Sequence, residues 1–339
     1  MNRYQVGLVV VVGVVIVAAV FAINQSNQAN QSTGNTASQL AGAAAGVPDP
    51  DLIPTGQRPA APEFTGLAGW LNSPPLTVSG LRGQVLLIDF WTYSCVNCVR
   101  TLPHQQALQA RYGAKGLTII GMHSPEFDFE RSQPNVAAAV KRLDVTWPVA
   151  LDSRMATWNA YSNQYWPAEY VVDQQGRVAY FHAGEGDYDR TERAIVSLLG
   201  AGGTIAAAPP PAQDTQQTPE LYAGSTRASH PNPIALRGSW SDHGEFVEST
   251  GPATVQLSFH AQEVYVVAEA AGSNAVTVGV TLDGKSVPDA QRGPDLASNS
   301  ALTIGRSDLF HVLTAAAPRD GTIVLSVPAG FRLYTFTFG

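Results

Sequence analysis

Apolar positions follow two different rhythms along this chain. Val85 to Trp91 is apolar almost throughout, and Leu117 to Met122 repeats that pattern. Short unbroken runs of this kind belong to strands covered on both faces of a sheet with parallel neighbours. Between them Val99, Leu102, Leu108 and Tyr112 recur at roughly helical spacing, and Gly113 and Gly116 close the segment, which predicts a strand-helix-strand unit. Val136 to Leu143 reads as a further helix. Glu169 to Asp173 and Arg177 to Phe181 read as strands around a Gln-Gly turn, and Ala194, Ile195, Leu198 and Leu199 mark a last helix. This order predicts an α/β sandwich with a mixed sheet.

Further along, the rhythm changes to short strands punctuated by turn residues. Val255 to Phe259, Val264 to Val267, Val276 to Leu282, Thr322 to Val327 and Leu333 to Phe338 are the clearest, and Asp283-Gly284 fits a tight hairpin. With hardly any helical periodicity, this half predicts a β-sandwich of jelly-roll type. The expected organisation is an N-terminal apolar segment at 1–23, a flexible linker at 24–62, an α/β domain at 63–200, a Pro-rich linker at 201–217 and a β-sandwich at 218–339.

The apolar run Val6 to Ile23 is at the threshold for spanning a bilayer. Val20-Phe21-Ala22 is a mediocre cleavage site, which favours an uncleaved single transmembrane helix over a signal peptide. Arg3 precedes the run and no charged residue follows until Asp49, so the positive-inside rule places the remainder outside the cytoplasm. The 339 residues, 45% hydrophobic and 14% charged, suffice for two folded units. A net charge of -7 without any Lys/Arg-rich run argues against a nucleic-acid partner.

The chain has 2 cysteines, Cys95 and Cys98, at Cys-x-x-Cys spacing directly after a buried strand and at the start of a helix. A helix N-terminus offers unpaired amides and positive dipole charge, which stabilise a thiolate on Cys95 while Cys98 stays shielded. That makes Cys95 the attacking thiol and Cys98 the resolving one. A zinc site would need further Cys or His ligands at suitable spacing, and none stands elsewhere; His230, His243, His260 and His311 are scattered. A purely structural disulfide across so short a loop would stabilise little. Haem attachment would need His where Val99 stands. The expected redox group is therefore the Cys95-Cys98 disulfide itself, without cofactor or metal.

The run Asp89-Phe90-Trp91-Thr92-Tyr93-Ser94-Cys95-Val96-Asn97-Cys98, with Pro103 following, resembles the active-site strand and helix of the thioredoxin superfamily, in particular its TlpA-like and redoxin members. The resemblance implies that Asp89 takes and returns the Cys98 proton, and a carboxyl buried beneath a sheet has the raised proton affinity this requires. It also implies that Pro167 belongs to a cis-proline loop beside Cys95. Trp91, Trp166, Pro167 and Glu169 are candidate substrate contacts, with core packing the competing role for Trp166. Glu169, His123 and Glu126 fall in motifs expected near the cysteines, where they tune the thiols or contact substrate; surface hydrogen bonding is the alternative.

A narrower resemblance is to the periplasmic part of DipZ-type proteins, a TlpA-like domain followed by a carbohydrate-binding-module-like jelly roll. It is carried by Gly69-Trp70-Leu71-Asn72-Ser73, the Cys motif, His123-Ser124-Pro125-Glu126-Phe127, Thr157-Trp158-Asn159-Ala160-Tyr161, Tyr165-Trp166-Pro167-Ala168-Glu169-Tyr170, Gly184-Glu185-Gly186-Asp187-Tyr188 and Phe336-Thr337-Phe338-Gly339. It implies cytochrome c biogenesis or envelope repair, protein thiols and disulfides as substrates, and reduction as the direction. One apolar segment replaces the multi-helix electron-carrying domain of that family, so a separate membrane donor of CcdA type would have to reload the cysteines.

Three other activities compete. Thr92 and Arg100 stand where a thiol peroxidase would want them. A disulfide-donating oxidase would use the same cysteines in reverse. A non-catalytic cell-wall sugar binder would use Trp240, Tyr265, Phe310, Phe331 and Tyr334 as a stacking platform, although strand alternation gives core packing as their default role. Gly184 to Asp189 does not have the ligand spacing of an EF-hand.

Overall fold

A computed structural model describes residues 51–201, 205 and 214–339. The expected membrane segment at 1–23 lies outside them, and among the described residues no helix is long and apolar enough to cross a membrane. The described residues fall into two compact units, one on each side of the boundary at 211/212.

In the first unit the chain order is β1 (Gly69–Leu71), β2 (Val85–Trp91), α1 (Val96–Tyr112), β3 (Leu117–His123), α2 (Gln133–Arg142), β4 (Val149–Leu151), α3 (Ala156–Ala160), β5 (Ala168–Val172), β6 (Val178–Ala183) and α4 (Tyr188–Leu199). The sheet order is β1-β4-β3-β2-β5-β6. β2 is parallel to β3 and antiparallel to β5, so it is paired on both edges. Every residue of β2 is buried, as its unbroken apolar run requires.

The period of two in β2 separates two cores. Val85, Leu87 and Trp91 pack with Leu102 and Leu108 of α1 and Ala194 and Ile195 of α4. Leu86, Ile88 and Phe90 pack on the other face with Trp158 of α3 and Tyr170 of β5. Asp89 thus falls on the α1 side. α1 buries Cys98, Thr101, Leu102, Gln105, Leu108 and Tyr112, a stripe at i, i+3 and i+4 spacing. Truncating Leu108, fully buried in this stripe, would cost about 2–5 kcal/mol. α4 stops at Gly200, whose φ of 62° allows the amides of Gly200 and Ala201 to close on Ser197 and Val196.

The hydrophobic pattern did not reveal β1, β4 or α3, which have 3, 3 and 5 residues and are too short to show a period. Residues 51–62, placed in the flexible linker by composition, pack on this unit instead. Ile53 is buried and its amide bonds to the Ala179 carbonyl, Ala60 bridges Arg177, and Asp51 pairs with Arg190 at 2.7 Å.

The second unit is all-β: β7 (Leu221–Tyr222), β8 (Ala235–Arg237), β9 (Trp240–Asp242), β10 (Val247–Ser249), β11 (Ala253–Ala270), β12 (Val276–Leu282), β13 (Lys285–Ser286), β14 (Ala301–Ile304), β15 (Asp308–Val327) and β16 (Phe331–Phe338). The two strands expected at 255–259 and 264–267 are one long strand, β11, paired with β15 along its length. Register shifts between Ala261 and Tyr265 reconcile the two readings. Before them the odd residues Val255, Leu257 and Phe259 enter the core; after them the even residues Val264, Val266 and Ala268 do. A bulge that switches parity keeps both halves of the strand facing one core. The expected hairpin at Asp283-Gly284 is present, with positive φ at both residues and Leu282 opposite Lys285.

Candidate active site

Cys95 caps α1. Its backbone is extended, and its Sγ accepts the Cys98 amide at 3.2 Å, one of the amides that a helix start leaves without an intrahelical partner. The thiols are free, Cys95 partly exposed and Cys98 buried. Burial first, then the Cys95 sulfur and the Asp89 carboxylate, push the Cys98 thiol well above its ordinary range, against the Thr92 backbone. Cys98 therefore needs a base beside it before it can act as a thiolate.

The carboxyl group whose charge acts on Cys98 is Asp89. It is 1% exposed, and neither carboxylate oxygen has a hydrogen-bond partner. Burial, reinforced by the neighbouring Glu169 carboxylate and opposed by Gln105, raises its pKa to about 8. A base titrating near neutrality next to a reluctant thiol suits proton transfer in both directions.

Glu169 stands directly across β5 from Asp89. It is 2% exposed, and its oxygens accept Gln105 Nε2 at 3.3 Å and the Thr191 hydroxyl at 2.8 Å. Trp91 is likewise sealed at 1% exposure, packed edge-on against His123 at 5.5 Å. Both were candidate substrate contacts; in the folded unit neither has a face open to a substrate, because both point from the sheet into the α1 core. Gln105 was not anticipated. The available signal was a polar residue on the apolar stripe of α1, seven positions after Cys98.

The loops at this end of the sheet are tied to one another. The Ser124 amide donates to the Trp91 carbonyl at 3.0 Å, and Trp166 Nε1 donates to the Ser124 carbonyl at 3.0 Å. Asp152 accepts the Ser124 hydroxyl at 3.3 Å and the amides of Thr157 and Trp158 at 3.0 and 2.8 Å. The Trp166-Pro167 peptide is cis, and Ala168 pairs with Phe90, so Pro167 lies at the end of β2 from which the Cys95 loop departs. Trp166 packs against Trp158 at 4.2 Å, in keeping with a packing role, while Tyr165 beside it is 49% exposed.

Two more titratable groups sit under the Cys loop. The Ser94 hydroxyl donates to Glu130 Oε1 at 2.5 Å, and the Glu126 and Phe127 amides donate to Oε2 at 2.6 and 3.0 Å. Burial outweighs these bonds and lifts Glu130 to about 7. Nothing in the sequence flags Glu130, since its burial depends on the short turn at Asp128–Arg131. His123 stacks on Tyr93 and contacts the Thr92 hydroxyl at 3.3 Å; burial lowers its pKa to about 3, so it is neutral. Arg100 pairs with Glu185 at 3.4 Å. Among the described residues no group of three or more His, Cys, Asp or Glu is placed to hold a metal ion.

The site is thus a partly exposed cysteine capping a helix, with a buried carboxyl group on the strand below it. Residues 55–199 match the family described as Redoxin. Over these residues the chain is similar to redoxins. Residues 204–339 match the family described as thioredoxin-like C-terminal domain. The DipZ proteins of Mycobacterium bovis and Mycobacterium tuberculosis are 34% identical to this chain over 312 residues, covering 82% of it and 43% of their own length. The chain thus spans less than half the length of those relatives. The thiol-disulfide oxidoreductase YkuV of Bacillus subtilis is 28% identical over 142 residues, 42% of this chain and 95% of that protein. The solution structure of a thioredoxin-like protein in the oxidised form is 29% identical, with a TM-score of 0.40 over 43% of this chain and 98% of that one.

In the C-terminal domain, Tyr265, Phe310, Phe331 and Tyr334 are buried, and Trp240 packs edge-on against Phe331 at 6.5 Å. These five residues therefore do not form an open stacking platform for sugar.

Proposed function

We propose that this chain is an extracytoplasmic thiol-disulfide oxidoreductase that reduces protein disulfides through Cys95 and Cys98. The observation that carries the reading is the cap geometry at Cys95 above the sealed, unpartnered Asp89. The Cys95 thiolate attacks one sulfur of a substrate disulfide; that S–S bond breaks, a mixed disulfide forms and the first substrate thiolate leaves. Cys98 gives its proton to Asp89 and attacks Cys95 Sγ, which forms the Cys95-Cys98 disulfide and releases the second substrate thiolate. Both leaving thiolates take protons from solvent. No cofactor enters, because the electron pair resides in the cysteines.

The Trp166-Pro167 loop, with the exposed Gln164 and Tyr165 before it, is the substrate-docking edge that receives an extended peptide. A separate membrane donor of CcdA type returns the dithiol, the segment 1–23 tethers the chain, and the substrates belong to cytochrome c maturation or envelope repair. The β domain is a jelly roll whose ligand, if carbohydrate, is held by residues other than the buried aromatics.

The test is turnover of a protein disulfide by the full chain with a chemical reductant, alongside the equilibrium potential of the cysteine pair. Turnover that vanishes in C95S, with a potential near thioredoxin's value of about -270 mV, is expected. A potential near about -120 mV would make the protein a disulfide donor. Peroxide consumption exceeding disulfide turnover would make it a thiol peroxidase.

A further inference from the structure

The proton that Asp89 takes from Cys98 starts from a sealed position. We propose that Asp89, Glu169 and His182 form a row across the sheet that carries this proton to solvent, with Glu169 and His182 as positioning residues of the exchange reaction. The inference rests on the disulfide-exchange reading and adds the proton's route to it.

The row follows from strand register. Asp89 is opposite Glu169 between β2 and β5, and Glu169 is opposite His182 between β5 and β6. Directly opposed residues of antiparallel strands share a face, with Cβ atoms about 4.5–5.5 Å apart. Exposure rises along the row. Asp89 is 1% and Glu169 2% exposed, the His182 side chain is 14% exposed, and Asp187, 3.8 Å from His182 Nδ1, is 46% exposed.

The opposite direction is closed. The β3 residue beside Asp89 is Gly121, and the space a side chain would take there is filled by the indole nitrogens of Trp91 and Trp147, at 2.9 and 3.2 Å. Toward β6 the row meets polar atoms with open valences. His182 Nε2, His104 Nε2 and the Tyr188 hydroxyl are buried and have no hydrogen-bond partner. Such atoms are where a bridging water is held. Glu169 itself is oriented by Gln105 and Thr191, and each of its oxygens keeps a second lone pair for the proton in transit. The titratable groups whose charge couples to Glu169 are Asp89 from β2, His104 from α1, Tyr180 from β6 and Tyr188 from α4.

The balance is simple. The Cys98 S–H bond breaks and an Asp89 O–H bond forms as the sulfur attacks Cys95. The proton then moves to Glu169, to His182 and to water, which brings Asp89 back to its own protonation equilibrium, from whose ionised fraction the next resolution step starts.

The experiment follows oxidation of the full-length dithiol by hydroxyethyl disulfide in dilute buffer, with rapid-mixing fluorescence, for wild type, E169Q, H182Q and H104Q. E169Q is expected to resolve the mixed disulfide roughly a hundredfold more slowly. H182Q should be slower by about tenfold, less than a buried carrier because water reaches that end, and imidazole in solution should restore its rate. The equilibrium potential of H182Q should stay at the wild-type value, since a route changes rate and not equilibrium; a structural defect would move the potential and resist imidazole, and would overturn the proposal. Wild-type rates in both E169Q and H182Q would overturn it as well, as would slowing confined to H104Q. A wild-type chain that exchanges no disulfide at all would instead remove the oxidoreductase reading, and the route with it.

Discussion

Asp89 and Asp173 are both buried carboxylates of the first unit, four strand positions apart, and their surroundings differ completely. Asp173 sits just beyond β5, near the start of β2. Its oxygens accept Arg58 at 3.1 Å, Arg177 Nε at 3.0 Å and the amides of Gln175 and Arg177 at 3.0 and 2.9 Å. Burial alone would raise its pKa, but the bonds from Arg177 and Arg58 outweigh burial and hold it below the ordinary carboxylate range. Asp89 sits near the other end of β2, receives no hydrogen bond, and titrates near about 8. A fully bonded buried carboxylate pins a turn and stays charged. An unbonded one costs stability and holds its proton to higher pH, the kind of perturbed group that marks a candidate site rather than a scaffold.

The largest effect is expected from the cysteines above Asp89. C95S should abolish disulfide turnover, while C98S should accumulate the mixed disulfide through Cys95, visible on a non-reducing gel. Loss of turnover in C98S without any trapped species would contradict the assigned order of attack. Next in size, D89N should slow mixed-disulfide resolution roughly a hundredfold or more while raising stability. The sign follows from linkage. The folded pKa of about 8 lies above the ordinary value of 3.8, so the stabilising effect of the bound proton is complete below about 3.8 and is lost as pH rises through about 8. The stability gap favouring D89N should therefore widen across that window, as read by denaturant titration.

D173N should do the reverse. Removing one partner from a buried ion pair costs about 3 kcal/mol, while turnover per folded molecule should be unchanged. Asp173 has a depressed folded pKa, so its contribution is present above about 3.8 and is lost as pH falls through the folded value. A D173N protein as stable as wild type at neutral pH would show that its hydrogen bonds do not hold the turn. The smallest effect is expected at Arg100, whose partly exposed pair with Glu185 is worth less than about 1 kcal/mol. R100A should leave disulfide turnover intact; a loss of peroxide consumption larger than any loss of exchange would revive the peroxidase reading.

The difference between the carboxylates was only partly legible in the sequence. Asp89 could be placed beside the cysteines through the resemblance of the run Asp89 to Cys98 to a thioredoxin active-site strand, and Cys95 and Cys98 because their spacing falls at a helix start. Pairing is not local, however. That Asp173 meets Arg58 depends on a segment whose composition resembles a linker, and that Glu169 faces Asp89 depends on an antiparallel register between residues 80 positions apart. Glu169 and Trp91 were read as substrate contacts for the same reason: proximity to the motif was visible in the sequence, but the direction of the side chain was not. In the second unit the two halves of β11 looked like separate strands because the bulge reverses the parity of burial between them.

The most direct test of the account is the carboxyl stretch of Asp89, followed by infrared difference spectroscopy on the full-length dithiol across pH, with D89N to assign the band. The account predicts a protonated carboxyl at pH 7 that ionises with a midpoint near about 8. A carboxylate already ionised at pH 5 would contradict it, because Asp89 would then have charged partners that the structure does not give it.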